Sequence, residues 1–455
     1  MKLSEDRRQT LLLMCTGALS GAVVLDESIL GVALPRIEED LGLSFLTSHW
    51  ILNAYFLTLT CFVAVGGKSV DMFGLRQLLI FGGAVFTAAS LIAGFADSGA
   101  LLIAMRILQG IGGALLFAIA QTGANLSLTP ERRGRGIAIY GTVVGILMVL
   151  GPVLSGLLTH YLSWRWVFWA DIPIILLVAA AMILLWKPKG DAPKSTVIDW
   201  GGMFLLLFGL FGVVFAFLQG TSLGWTNNII LFSGMAGAGA LYLFDYYERR
   251  HAHPLLDVRL LRRYTFILPM GIYFLAQYAL IGYLAFFPMF LQTEMGYSAR
   301  DSGLSMIPVI LPFVLLGIPA GHLADRFGSR KVVACGTGLS VIGTGGLILV
   351  LSTQNHLLIT ALIMVWCSGA VFTLAPARRI AVAATPRNKM GQATGTMLTL
   401  RLLGTTIGVT GSSVALNASG YPAVFVLIGL VLVIAFVITL LFLQEPRISG
   451  STKNA

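Results

Sequence analysis

Charge is what this chain lacks most: Asp, Glu, Lys and Arg make up only 11% of its 455 residues, against about 25% in soluble domains. With 57% hydrophobic residues and a mean hydropathy of +0.87 beside that scarcity, no water-facing surface can be built, and the chain falls in the membrane class. Cysteine is sparse too. Cys15, Cys61, Cys335 and Cys367 all lie in apolar stretches, at spacings that form neither a zinc site nor a small disulfide framework. The His251 and His253 pair supplies too few ligands for a metal. A phosphate loop is also missing: Gly67-Lys68-Ser69 ends like one, but Phe62 stands where glycine is required. The reading is therefore a non-enzyme with no cofactor, no metal and no nucleotide-driven step.

What is present in quantity is apolar sequence. Stretches of about 20 residues, enough to cross a bilayer, begin near Thr10, Thr47, Gln77, Gly99, Gly136, Trp166, Gly201, Asn228, Phe266, Gly303, Val332, Leu357, Gln392 and Tyr421. That is about fourteen spans of an all-α polytopic membrane protein. The first is too long for a signal peptide and lacks a cleavage pattern, so it is kept as span one. The net charge of +10 follows topology rather than a nucleic-acid partner. Arg36, Arg165 and Arg300 lie in one set of loops and Arg106 and Arg401 inside spans; every other Lys and Arg lies in the two tails or the alternate loops. By the positive-inside rule both termini are cytoplasmic and the protein is multi-pass in the cell membrane.

An internal repeat sets the architecture. Gly67-Lys-Ser-Val-Asp71-Met-Phe-Gly74-Leu-Arg76 follows span two, and Gly321-His-Leu-Ala-Asp325-Arg-Phe-Gly328-Ser-Arg330 follows span ten. Both fit G-x-x-x-D-x-x-G-x-R on the same membrane face, so the halves are parallel repeats. In a six-plus-six arrangement the second copy would follow span eight, so spans seven and eight are an insert. The expected organisation is a six-helix bundle over 1–186, linker loops and two inserted helices over 187–263, a second six-helix bundle over 264–445 and a tail over 446–455.

Further motifs occur in order. Leu25-Asp26-Glu-Ser-Ile-Leu-Gly-Val-Ala-Leu-Pro35 lies in span one and Arg106-Ile-Leu-Gln109-Gly110-Ile-Gly112 in span four. Ser163-Trp-Arg-Trp-Val-Phe168 precedes span six, Asp199-Trp-Gly201 span seven, and Gly224-Trp225 separates spans seven and eight. With these the sequence resembles the major facilitator superfamily, specifically its fourteen-helix drug:proton antiporter branch. The resemblance covers almost the whole chain. It implies a major facilitator fold of two six-helix bundles plus two inserted helices, and transport by alternating access.

Asp26 and Glu27 are acids inside an apolar span, about 24 Å along it at 1.5 Å per residue. Such residues are costly, face a bundle interior and serve ion pathways. Adjacent helix positions point about 100° apart, so at most one faces a cavity squarely; the family pattern favours Asp26. Arg106 is the second buried charge, requires a partner that the sequence does not name, and carries Gln109 one turn on. Asp26 and Arg106 are read as the proton-coupling pair, and Glu27, Asn53, Gln109 and Arg401 as cavity candidates. Asn53 is neutral where an acid would suit a cationic drug.

The loop motif has its own physical reading. Glycines permit a tight turn, while Asp71 precedes span three, where it favours the helix N-terminus and can pair with Arg76. Gly67, Asp71, Gly74 and Arg76, with Gly321, Asp325, Gly328 and Arg330, are expected to latch one conformational state. Gly151, Pro152, Ser155 and Gly156 give span five a kink and a close crossing. They resemble the family's antiporter motif, departing from it at Ser155 and upstream at Leu147.

The function expected is proton-coupled efflux of lipophilic or amphipathic small molecules. The partners are a small-molecule substrate, protons and the lipid bilayer, with no nucleic acid, and the protein acts as a monomer. A dedicated exporter of an endogenous metabolite such as a siderophore or lipid is the alternative on the same scaffold. A non-transporting membrane sensor is disfavoured because the sequence shows no signalling domain or long tail.

Overall fold

In hydrocarbon each peptide N–H and C=O must be satisfied without water, so every long apolar run closes on itself as a helix. The structure is a computed structural model, and it describes residues 5–127, 133–186, 199–251, 254–256, 258–353, 355–385 and 390–445. The first half comprises α1 (Glu5–Leu41), α2 (Phe45–Phe73), α3 (Leu75–Ala93), α4 (Gly99–Ser127), α5 (Arg133–Tyr161), α6 (Arg165–Trp169) and α7 (Asp171–Leu185). Then come α8 (Trp200–Leu223) and α9 (Asn228–Glu248). The second half comprises α10 (Tyr264–Thr293), α11 (Ala299–Phe327), α12 (Ser329–Val350), α13 (His356–Ala383) and α14 (Met390–Leu441). Helix starts coincide with polar caps: the side chains of Ser44, Asp199, Asn227, Ser298 and Asn355 accept from first-turn N–H groups.

Two details turn these elements into fourteen crossings. The short α6 and α7 meet at Ala170, whose φ of −62° and ψ of −32° remain helical, so they form one crossing. The 52 residues of α14 would extend about 78 Å, far more than the roughly 30 Å of hydrocarbon. The helix breaks at Ser419 and Gly420, where φ reaches +74° at the glycine, and two crossings result. The division agrees with the span expected to begin near Tyr421.

The repeat is visible in packing. In the first half α1 packs on α5 and both α2 and α3 pack on α4; in the second, α10 packs on α14 and both α11 and α12 pack on α13. The halves meet where α5 touches α11, α2 touches α14, and α1 touches α10. The inserted α9 packs against α8, and α8 rests on α2 and α14. Large apolar side chains cover the outside, among them Leu177, Leu184, Phe232, Leu349 and Leu357. Such a surface needs lipid.

Candidate functional site

Below, the end of the bundle that carries the start of α1 is the tail side, and the opposite end the far side. The first site lies within the first half. Asp26 on α1 and Arg106 on α4 are 1% and 0% exposed, and Arg106 Nη1 donates to both Asp26 oxygens at 2.9 and 2.7 Å. Each neighbouring helix adds a contact. Arg106 Nε donates to the Ile51 carbonyl on α2 at 3.2 Å, and its guanidinium sits 4.0 Å over the Tyr55 ring. Nη1 also donates to Gln109 Oε1 at 3.1 Å, and Gln109 Nε2 donates to Ser90 Oγ on α3 at 2.8 Å. The one-turn spacing of Arg106 and Gln109 brings both to the same face of α4. A dry ion pair holds only if such bonds satisfy its remaining atoms, and loss of one partner costs about 3–5 kcal/mol.

A third charged group joins the cluster and has no place in the sequence reading. Asp171 begins α7, is fully buried, and its carboxyl group lies within hydrogen-bonding reach of the Asp26 carboxyl. The signal that singles out Asp26, an acid within an apolar run, is present at Asp171 too. It is easily passed over because the residue stands a few positions past the Trp-Arg-Trp segment that starts span six.

The second site is the seam between halves. Glu27 follows Asp26 and so turns about 100° away from it. Its Oε2 accepts from Arg401 Nη2 on α14 at 2.8 Å, with the side chains 6% and 14% exposed. The Arg401 guanidinium also lies 5.2 Å from the Phe117 ring centre on α4. Further along α14, Thr410 Oγ1 donates to Asn53 Oδ1 of α2 at 2.7 Å, and Asn53 Nδ2 donates to the His49 carbonyl at 2.9 Å. Thr60 and Thr406 share a hydroxyl hydrogen bond of 2.8 Å. Asp26 and Gln109 thus lie in the interior of the first half, while Glu27 meets Arg401, and Asn53 meets Thr410, between the halves. Glu27 Oε1 and Arg401 Nη1 are buried without a partner among the described residues.

On the far side the halves close on backbone contact. A Cβ on Gly156 would come 2.5 Å from the Ala299 carbonyl oxygen and 3.0 Å from Gly303 Cα, and one on Gly303 would come 2.6 Å from the Pro152 carbonyl oxygen. Only glycine permits α5 and α11 to cross so closely. Gly151 faces α1 instead, at Ser28 and Leu25, and Ser155 is buried between. Gln292 of α10 donates to the Val32 carbonyl of α1 at 2.9 Å, adding a second far-side tie.

The repeated loop motif caps equivalent helices. Gly74 and Gly328 end α2 and α11 with φ of +79° and +89°, a conformation suited to glycine, and each donates its N–H to the carbonyl four residues back. Gly67 and Gly321 face open space and Arg76 is exposed. The Asp71 side chain lies outside the described residues, as do His253 and the tail over 446–455. In the second copy Asp325 pairs with Arg379 of α13 at 2.5 Å, while Arg330 donates to the Leu440 carbonyl at 3.1 Å.

A family model described as Major Facilitator Superfamily matches residues 16–310 and 269–455. The Multidrug resistance protein Stp of Mycobacterium tuberculosis is 29% identical over 417 residues, covering 90% of this chain and 76% of that protein. The Methylenomycin A resistance protein of Bacillus subtilis is 28% identical over 440 residues, covering 94% and 93%. The crystal structure of a D-xylose–proton symporter aligns with a TM-score of 0.70 at 14% identity, over 97% of this chain and 99% of the symporter, a likeness of fold alone. The two matched stretches overlap and together run from span one to the end of the sequence, and the chain belongs to the major facilitator superfamily of membrane transporters.

Proposed function

We propose that this transporter exports lipophilic or amphipathic small molecules in exchange for protons, by alternating access between the two halves. One observation carries the reading: adjacent acids on α1 serve two charge networks, Asp26 inside the first half with Arg106 and Glu27 across the seam with Arg401. A change of protonation at the first is one residue away from the contact that joins the halves. The far-side crossing of Gly156 and Gly303 supports a carrier that rocks about α5 and α11. Relatives named for resistance to drugs and to an antibiotic support the outward direction.

In this reading the residue ranges 1–186 and 264–445 are the two moving bundles, 187–263 carries the insert, and both termini face the cytoplasm of the cell membrane. The loop motifs then act as cytoplasmic latches. The name of the methylenomycin relative favours a second, narrower reading, in which one dedicated compound is the substrate. A proteoliposome assay with an imposed pH gradient, run over lipophilic cations, neutral compounds and zwitterions, tests both. Gradient-driven movement of several compounds supports the broad reading, and movement of one alone supports the narrow one. A gradient that changes the distribution of none removes proton antiport.

A further inference from the structure

We propose that Asp26 and Asp171 form a carboxyl pair that holds one exchangeable proton beside Arg106, with Asp171 as its loading site. The inference rests on the proton-coupled reading above and names the groups that bind the proton.

The geometry begins with an unsatisfied group. Asp171 is 0% exposed, and no N–H or O–H donor among the described residues reaches either of its carboxyl oxygens. The group within hydrogen-bonding reach is the Asp26 carboxyl, which accepts but does not donate while it is ionised. Two ionised carboxylates in contact inside a dry bundle repel each other and leave Asp171 without any bond. One proton between them converts that contact into an O–H···O hydrogen bond, as in other carboxyl pairs that titrate as a unit.

The surroundings fix the charge count. From α1 the facing group is Asp26, from α4 Arg106, and from α2 the ring of Tyr55, whose hydroxyl donates to the Val23 carbonyl at 3.2 Å. On α3 the one charged residue, Arg76, lies at the other end of the helix, and Arg165 of α6 is turned to Asp40, 4.0 Å away, and to the Ala96 carbonyl. Arg106 is therefore the cation available to both acids. It spends Nη1 on Asp26, while its buried Nη2 has no hydrogen-bond partner among the described residues.

With one proton bound, two carboxyl groups and one guanidinium sum to zero. Release of that proton to water leaves a net charge of −1 in a site sealed from solvent. That state is relieved by admitting water or by moving Arg106 Nη2 toward the second carboxylate, and either shifts α1 and α4 relative to α7. No oxidant, reductant or other co-reactant is needed, since only a proton moves between solvent and a carboxylate oxygen.

Infrared difference spectra of the full protein in lipid, titrated between acid and alkaline pH without any substrate, test the assignment. Wild type is expected to show the C=O band of a protonated carboxylic acid at neutral pH, lost on alkalinisation. Asp171→Asn is expected to lose that band, because its amide donates to Asp26 permanently. Absence of the band in wild type, or its persistence in Asp171→Asn, overturns the proposal. If Asp171→Asn does not insert, Asp171→Glu keeps the acid and must shift the band; an unshifted band is equally fatal. A parallel pH-gradient assay with ethidium separates the two readings. A band that behaves as expected in a protein with no gradient-driven transport of any compound keeps the carboxyl pair and removes antiport. Gradient-driven transport with an unchanged band in Asp171→Asn does the reverse.

Discussion

Arg401 of α14 donates to Glu27 of α1 at 2.8 Å, so an ion pair spans the two halves, as the Asn53 and Thr410 hydrogen bond does further along α14. Its partners differ in what they leave behind. Removing Glu27 strands a guanidinium whose Nη1 already lacks a bond, while removing Arg401 strands a carboxylate whose Oε1 lacks one. Glu27→Gln and Arg401→Gln should each lower thermal stability, and the double variant should lose less than the sum. A double-mutant cycle is expected to give a coupling of about 0.5–3 kcal/mol. A coupling indistinguishable from zero would mean that the pair does not hold the halves together.

At the far side the prediction concerns volume rather than charge. A Cβ at Gly156 meets the Ala299 carbonyl and Gly303 Cα across α5 and α11. Overpacking a tight contact costs about 1–3 kcal/mol. Gly156→Ala should therefore destabilise the closed far side and raise the rate at which a thiol reagent labels Ser302→Cys, a buried position on α11. Unchanged labelling would place the opening elsewhere.

Much of this architecture is legible in the chain because it is local. Apolar runs set the crossings, the two G-x-x-x-D-x-x-G-x-R copies set the repeat, and the glycines at 74 and 328 occupy left-handed caps that favour glycine. The adjacency of Asp26 and Glu27 is enough to say that they point in different directions. What each meets is another matter. Arg106 finds Asp26 eighty residues away and Arg401 finds Glu27 across the whole chain, and such pairs depend on how helices pack rather than on spacing. The Asp325 side chain likewise selects Arg379 on a neighbouring helix over Arg330 in its own motif. Asp171 goes unread for a different reason: it lies beside a conspicuous aromatic segment that draws attention to itself.

The Asp325 and Arg379 pair supplies a third test. Both side chains are about half exposed, and an ion pair in that setting contributes roughly 0–1 kcal/mol. Asp325→Asn should leave thermal stability nearly unchanged. If the motif latches a conformational state, the same variant should still slow transport, because the pair ties α11 to α13 at the tail side. Normal transport rates in Asp325→Asn would reduce the second copy to a turn with a surface charge.

The last prediction separates structure from coupling at Asp26. Asp26→Asn keeps the size of the side chain but removes the carboxylate that accepts both Arg106 Nη1 bonds, and breaking a buried ion pair by removing one partner costs about 3–5 kcal/mol. Loss of uphill export in that variant alone would therefore be ambiguous. Arg106→Gln removes the opposite charge and leaves an amide nitrogen at the position from which Nε donates to the Ile51 carbonyl. Because Asp171 is neutral while it keeps its proton and then donates to the introduced asparagine, no charge remains stranded, and Asp26→Asn combined with Arg106→Gln should recover most of the thermal stability lost by either single change. Coupling is not recovered the same way: neither asparagine nor glutamine exchanges a proton in the physiological range, and Asp171, buried with no Arg106 to balance its charge, keeps its proton. The double variant is expected to melt close to wild type, to allow downhill movement of a neutral compound, and to show no gradient-driven export. Its transport should also lose the pH dependence of wild type. If the double variant regains uphill export along with stability, the Asp26 and Arg106 pair is a brace inside the first half and the coupling proton binds elsewhere.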